Sequence, residues 1–218
     1  SGLRQAATKE PWRATTWNLL GTTLRRAGRF DEALAAAREA RHLDPLARHY
    51  TLQVAQVFLC AGQLDSALIW TRKASAMNTR YTTAREMAAE ALVRLARYDE
   101  AIAEWRAVLT ISGDSTTARL LDGARGQQGW EQFVAAKARL NLERNASPVV
   151  GLPPSSVKAS EWYAQAGDTA RALSLLERGV AEHHPNIGNV PCRSAYAPLR
   201  ESPRFKAIMR SVNLTEAS

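Results

Sequence analysis
The stretch Ser155-Ser156-Val157-Lys158 sets a hydroxyl and an amine one helical turn apart, the spacing at which some acyl-transferring enzymes hold nucleophile and amine. It stands at the mouth of a helix with no companion motif, so a chance match is the expected reading. Gly123, Gly126 and Gly129 follow no strand and therefore do not form a dinucleotide-binding turn. His183-His184, just before Pro185, have no cysteine or carboxylate at ligand spacing and read as cations closing a helix. Asn145-Ala146-Ser147 and Asn213-Leu214-Thr215 match the N-glycosylation pattern, which matters only in a secreted chain. No catalytic residue, cofactor or metal is expected, and the chain is read as a non-enzyme.

The net charge of +8 raises nucleic acid as a partner. Such binding needs a stripe of Lys and Arg, with aromatics for single strands. The arginines are instead spread along the chain (Arg38, Arg72, Arg106, Arg139, Arg178) and interleaved with Glu and Asp, which disfavours nucleic acid. No run of eighteen apolar residues occurs, so membrane insertion is not expected. Cys60 and Cys192 lie far apart in no Cys-x-x-Cys spacing, which predicts two reduced thiols.

The elements that must carry any site are legible from a repeat. Steps of 34 residues from Ala14 reach Arg48, Thr82 and Thr116, and one template recurs. Its eighth position holds Gly21, Ala55, Ala89 and Gly123; its fifteenth Gly28, Gly62 and Ala96; its twentieth Ala33, Ala67 and Ala101; its twenty-seventh Ala40, Ala74 and Val108. Small side chains at positions eight and twenty suit two helices of one tile crossing closely, where a larger group costs roughly 1–3 kcal/mol. Glycine at position fifteen suits a left-handed residue ending the first helix. Asp31, Asp65 and Asp99 then read as caps or first-turn acids of the second helix.

Residues 1–13 are expected to close the second helix of a preceding tile, and the array to extend upstream. Residues 14–144 read as four helix hairpins, the fourth degenerate, with two helices broken near Gly129. A Pro-rich link covers 145–154. Residues 155–218 read as a final hairpin with Tyr163, Gly167 and Ala172, an irregular segment pinned by Tyr196 and Leu199, and a capping helix. That helix has Ser202 as N-cap, Pro203 at its first position, and a stripe of Phe205, Ile208, Met209 and Val212.

Trp17, Leu20, Gly21, Ala33 and Pro45 at this spacing resemble the tetratricopeptide repeat. The resemblance implies an all-α, right-handed superhelical solenoid of helix hairpins with a C-terminal capping helix. Residues 145–214 also resemble the closing segment of tetratricopeptide arrays in multidomain bacterial signalling proteins, implying a regulatory or docking role; the expected localisation is the bacterial cytoplasm.

In that fold the second, fifth, ninth, twelfth and thirteenth positions of a tile face a concave groove. They supply Asn18, Thr22, Arg25 and Arg26, then His49, Leu52, Gln56 and Leu59, then Glu86, Glu90 and Arg94 as candidate partner-binding residues. Apolar contact at Leu52 and Leu59 and steering by Arg25, Arg26 and Arg94 would recognise a protein or peptide. An upstream domain of the same chain is a second candidate partner, and self-association a third. The family's carboxylate clamp is absent, with Asn18, Thr22, Gln53, Thr83 and Met87 at its positions, so chaperone-tail binding is not implied. The expected function is a non-catalytic protein–protein interaction scaffold. The alternative is a sensor or oligomerisation module of a transcriptional regulator or nucleotide cyclase, acting through its ends or convex face.

Overall fold
A computed structural model describes residues 2–146 and 154–212. The chain is all-α: among the described residues there is no strand. It divides into two compact units, residues 1–113 and a second from Asp114 onward.

The first unit contains α1 (Gly2–Lys9), α2 (Ala14–Arg26), α3 (Phe30–Leu43), α4 (Arg48–Cys60), α5 (Leu64–Met77), α6 (Thr82–Arg94) and α7 (Tyr98–Ser112). First helices begin at 14, 48 and 82, second helices at 30, 64 and 98, so the sequence period is a structural period. α2 packs on α3, α4 on α5 and α6 on α7, while α3 also meets α4, α5 meets α6, and α2, α4 and α6 touch in series. The small positions sit where the helices cross: Ala33, Ala55, Ala67, Ala89 and Ala101 are fully buried.

Each turn between paired helices repeats as well. Gly28 and Gly62 are left-handed at φ +72° and +77°, and Ala96 takes the same conformation at φ 57° despite its Cβ. The amides of Arg29, Gln63 and Arg97 then donate to the carbonyls of Leu24, Phe58 and Leu92, each at 2.9 Å, closing the helices in one way. Asp31, Asp65 and Asp99 lie in the first turn of the second helices and do not cap them; the N-cap residues are Arg29, Gln63 and Arg97, with no side-chain cap bond. The acids therefore stand where they favour the positive end of the helix dipole.

The second unit holds α8 (Ser115–Ala118), a 3-10 turn (Arg119–Leu121), α9 (Gly126–Ala146), α10 (Ser156–Gln165), α11 (Thr169–Ala181), 3-10 segments Ile187–Cys192 and Ser194–Leu199, and α12 (Pro203–Ser211). Its beginning departs from the expected two helices broken near Gly129. α8 is a single turn, and α9 runs unbroken through Gly129. Left-handed Gly123 and Gly126 end the would-be first helix early. Gly129 instead lets α9 start tightly, since a Cβ there would meet the Ala124 carbonyl carbon at 2.9 Å.

α10 and α11 form a hairpin closed by left-handed Gly167. Tyr196, Leu199, Phe205, Ile208 and Met209 join Leu176 and Val190 in its core, so α12 and the irregular segment seal it as the apolar stripe requires. Pro203 does open α12, but Ser202 stands at the N-cap without a side-chain bond. The link 147–153 and the sequon residues Ser147 and 213–215 lie outside the described residues. The two cysteines are corrected: neither Cys60, ending α4, nor Cys192 is a free thiol, and both are disulfide-bonded.

Candidate functional site
α2, α4 and α6 carry all eleven candidate partner-binding residues, and polar contacts tie these helices to one another. The Gln53 amide on α4 donates to Thr22 Oγ1 on α2 at 2.9 Å. Arg25 Nη1 donates to Cys60 Sγ at 3.5 Å, again from α2 to α4. Arg94 Nη1 on α6 donates to the carbonyl of Leu59 on α4 at 2.6 Å. Thr22, Arg25, Leu59 and Arg94 thus lie along the seams of one helix layer, where template positions nine, twelve and thirteen meet.

The residues differ in access. His49 and Glu86 are exposed, and Asn18, Thr22, Arg26, Gln56, Glu90 and Arg94 are half-buried. Arg25, Leu52 and Leu59 are only 3%, 6% and 3% exposed. Leu52 packs with Ala55, Ala74 and Ala84 against Trp70, Tyr81 and Met87, so it holds tiles together and offers no apolar contact to a ligand. The reading of Leu52 and Leu59 as recognition contacts is corrected accordingly. Burial, with the charge of Arg26 beside it, brings the Arg25 guanidinium down to about 10, which leaves it protonated at neutral pH. Burial lowers Arg26 as well. The layer therefore runs from the basic Arg25–Arg26 end through Gln56 to Glu86 and Glu90, with Arg94 closing it.

Residues 18–78, which span most of the first two hairpins, match the family model described as tetratricopeptide repeat. That match covers under a third of the chain. No curated protein matches it. Among solved structures it is similar to YrrB, described as a TPR protein with an unusual peptide-binding site, at 15% identity and a TM-score of 0.47, over 98% of this chain and 99% of that one.

Outside the α2–α4–α6 layer, the motifs with chemical potential have structural work. Ser155 Oγ accepts the backbone amide of Lys158 at 3.3 Å and caps α10, while Lys158 Nζ pairs with Glu161 at 3.2 Å and lies over the Trp162 ring. Hydroxyl and amine point to different partners, so no nucleophile–base pair forms. His183 is left-handed at the end of α11, and His184 Nδ1 accepts the Asn186 amide at 3.1 Å. Among the described residues no group of His, Cys, Asp and Glu is arranged for a metal, and no helix is long and apolar enough to cross a membrane. Trp17, Trp70, Trp105 and Trp130 are half-buried and Trp162 is buried, in keeping with packing roles.

Glu161 is a buried, strongly perturbed acid of this region with an acid-range consequence. Burial opposes its ionisation, but the charges and hydrogen bonds of Arg193 and Lys158 outweigh that and bring its carboxyl down to about 2 from the usual 4.5. A depressed folded-state pKa stabilises the fold in full above the unfolded value and loses that contribution as pH falls toward the folded one. At about 1.4 kcal/mol per unit, the shift is worth about 3 kcal/mol. The drop in urea stability between pH 5 and 2 should therefore shrink by about 3 kcal/mol in Glu161→Gln. An unchanged acid profile would show that the Glu161 pairing contributes nothing. Asp114, held low by Arg144 and Thr117, supplies acid sensitivity that persists in the variant.

Proposed function
We propose that the α2–α4–α6 layer is a non-catalytic scaffold surface that binds an extended protein segment. The observation that carries this reading is the layer itself. Successive first helices are locked together by Gln53–Thr22 and Arg94–Leu59, so Asn18, Thr22, Arg26, Gln56, Glu86, Glu90 and Arg94 are held in fixed register. A surface that is basic at one end and acidic further along, with few apolar contacts, favours a charged peptide whose own charges alternate in sign. The regulatory part of a larger bacterial protein is the setting we propose for it.

Peptides selected from a random display library against the purified chain supply the test. Arg26→Glu combined with Glu90→Arg should weaken the selected peptides about tenfold or more while helicity is unchanged. Equal affinity for wild type and variant would remove the layer from the recognition surface.

A further inference from the structure
Several basic residues of the first unit have a carboxylate beside them. Arg13, Arg29, Arg85 and Arg97 each pair with a carboxylate, and Arg4 pairs with Glu32. Arg38 and Arg41 on α3 and Lys73 on α5 make no such pair among the described residues. Two of them converge on one ring. The Arg41 guanidinium lies 5.0 Å and the Lys73 ammonium 4.2 Å from the centroid of Trp70, and Arg38 is one turn before Arg41 on the same helix face. Arg41 Nε is buried without a hydrogen-bond partner.

The repeat explains how this surplus arose. The turn into the second helix reads Arg29-Phe30-Asp31-Glu32 in the first tile and Arg97-Tyr98-Asp99-Glu100 in the third, but Gln63-Leu64-Asp65-Ser66 in the second. Glu32 takes Arg4 of the preceding helix. Glu100 feels Arg72 in the same relation, 28 residues earlier, on top of its stronger bond to Arg97. The residue in that relation to Arg38 is Ser66. The carboxylate that its neighbours possess is missing from α5 at this one tile.

Like charges held together without an internal counter-ion weaken a fold, so the counter-ion is expected from outside. We propose that Arg41 and Lys73, over Trp70 between α3 and α5, together with Arg38 one turn before Arg41, bind a short acidic segment of a protein partner through its carboxylates. This surface lies on the second helices and stands independently of the α2–α4–α6 layer. Two features favour carboxylates over a nucleic-acid backbone. The Trp70 ring is occupied by Arg41 and Lys73 and packed on the Leu52–Ala74 cluster, so no base can stack on it. Asp31, Glu32, Asp65, Asp99 and Glu100 crowd the opening turns of the second helices and would repel a long polyanion while sparing a short run.

A fluorescein-labelled deca-glutamate peptide, titrated with the full chain at 50 mM salt, tests this by anisotropy, with a ten-nucleotide oligothymidine as the competing class. The peptide should bind, and Arg41→Gln with Lys73→Gln should weaken it about tenfold. Raising salt to 300 mM should weaken it further, and Arg94→Gln should leave it unchanged. If circular dichroism shows the double variant misfolded, exposed Arg38→Gln and Lys73→Gln, made singly, should each lower affinity about threefold. No binding by the peptide, equal binding by these variants, or tighter binding of the oligonucleotide lost with the same substitutions would each overturn the proposal.

Discussion
Phe205→Ala is expected to lower the stability of the chain by about 3–5 kcal/mol, read from the urea midpoint and slope. Phe205 is 1% exposed and lies with its ring centroid 6.3 Å from that of Tyr196, inside the core of the second unit. α12 is nine residues long, too short to hold its helix without packing, so its seat depends on Phe205, Ile208 and Met209. Truncation removes the largest of the three anchors and leaves a void on the α10–α11 hairpin. Tyr196→Phe separates packing from hydrogen bonding at the same place. The Tyr196 hydroxyl lies 2.7 Å from Ser160 Oγ and donates to the Val157 carbonyl at 3.1 Å, and burial keeps it protonated well above the usual tyrosine range. Losing it should cost only about 1–2 kcal/mol, because Ser160 still donates to Val157 at 2.8 Å. A loss below 1 kcal/mol in Phe205→Ala would mean that α12 is not seated.

Gly21→Leu is expected to destabilise the first unit by about 3 kcal/mol, whereas Gly21→Ala should be close to neutral. A Cβ at Gly21 would come 3.2 Å from the Ala33 carbonyl oxygen and 3.3 Å from the Ala37 amide nitrogen. Those are backbone atoms of α3 and cannot swing aside. For alanine the tight contact is offset by the gain in helix propensity, about 1 kcal/mol for leaving glycine. Alanine already stands at the equivalent Ala55 and Ala89, both fully buried. Leucine adds three further carbons to a crossing with no room for them, which forces α2 and α3 apart.

The fold of residues 14–112 was legible because close helix crossings admit so few side chains. Gly21, Ala55 and Ala89, with Ala33, Ala67 and Ala101, mark each crossing, and helix starts then follow at the same step. The region after Ser115 was less legible. Its glycines fit a degenerate template, but left-handed backbone at Gly123 and Gly126 shortens α8 to one turn and moves the length into α9. The candidate layer was legible as a set of positions and not as a set of exposures. Template numbering gives the direction a side chain takes in an ideal tile, yet α4 is enclosed on nearly every side, so Leu52 and Leu59 became core. The α3–α5 cations were hidden in a total charge. Their signal is a comparison between tiles, the replacement of Glu32 and Glu100 by Ser66.

Equilibrium urea unfolding of leucine variants at Gly21, Ala55 and Ala89, made one at a time, tests most directly whether the 34-residue period is a period of packing. All three positions should lose a similar amount, about 3 kcal/mol each, since each is the close crossing of its own helix pair. Leucine tolerated at any one of them within about 0.5 kcal/mol would show that the repeated small residues do not set the approach of the helices, and the register of the α2–α4–α6 layer would fall with it.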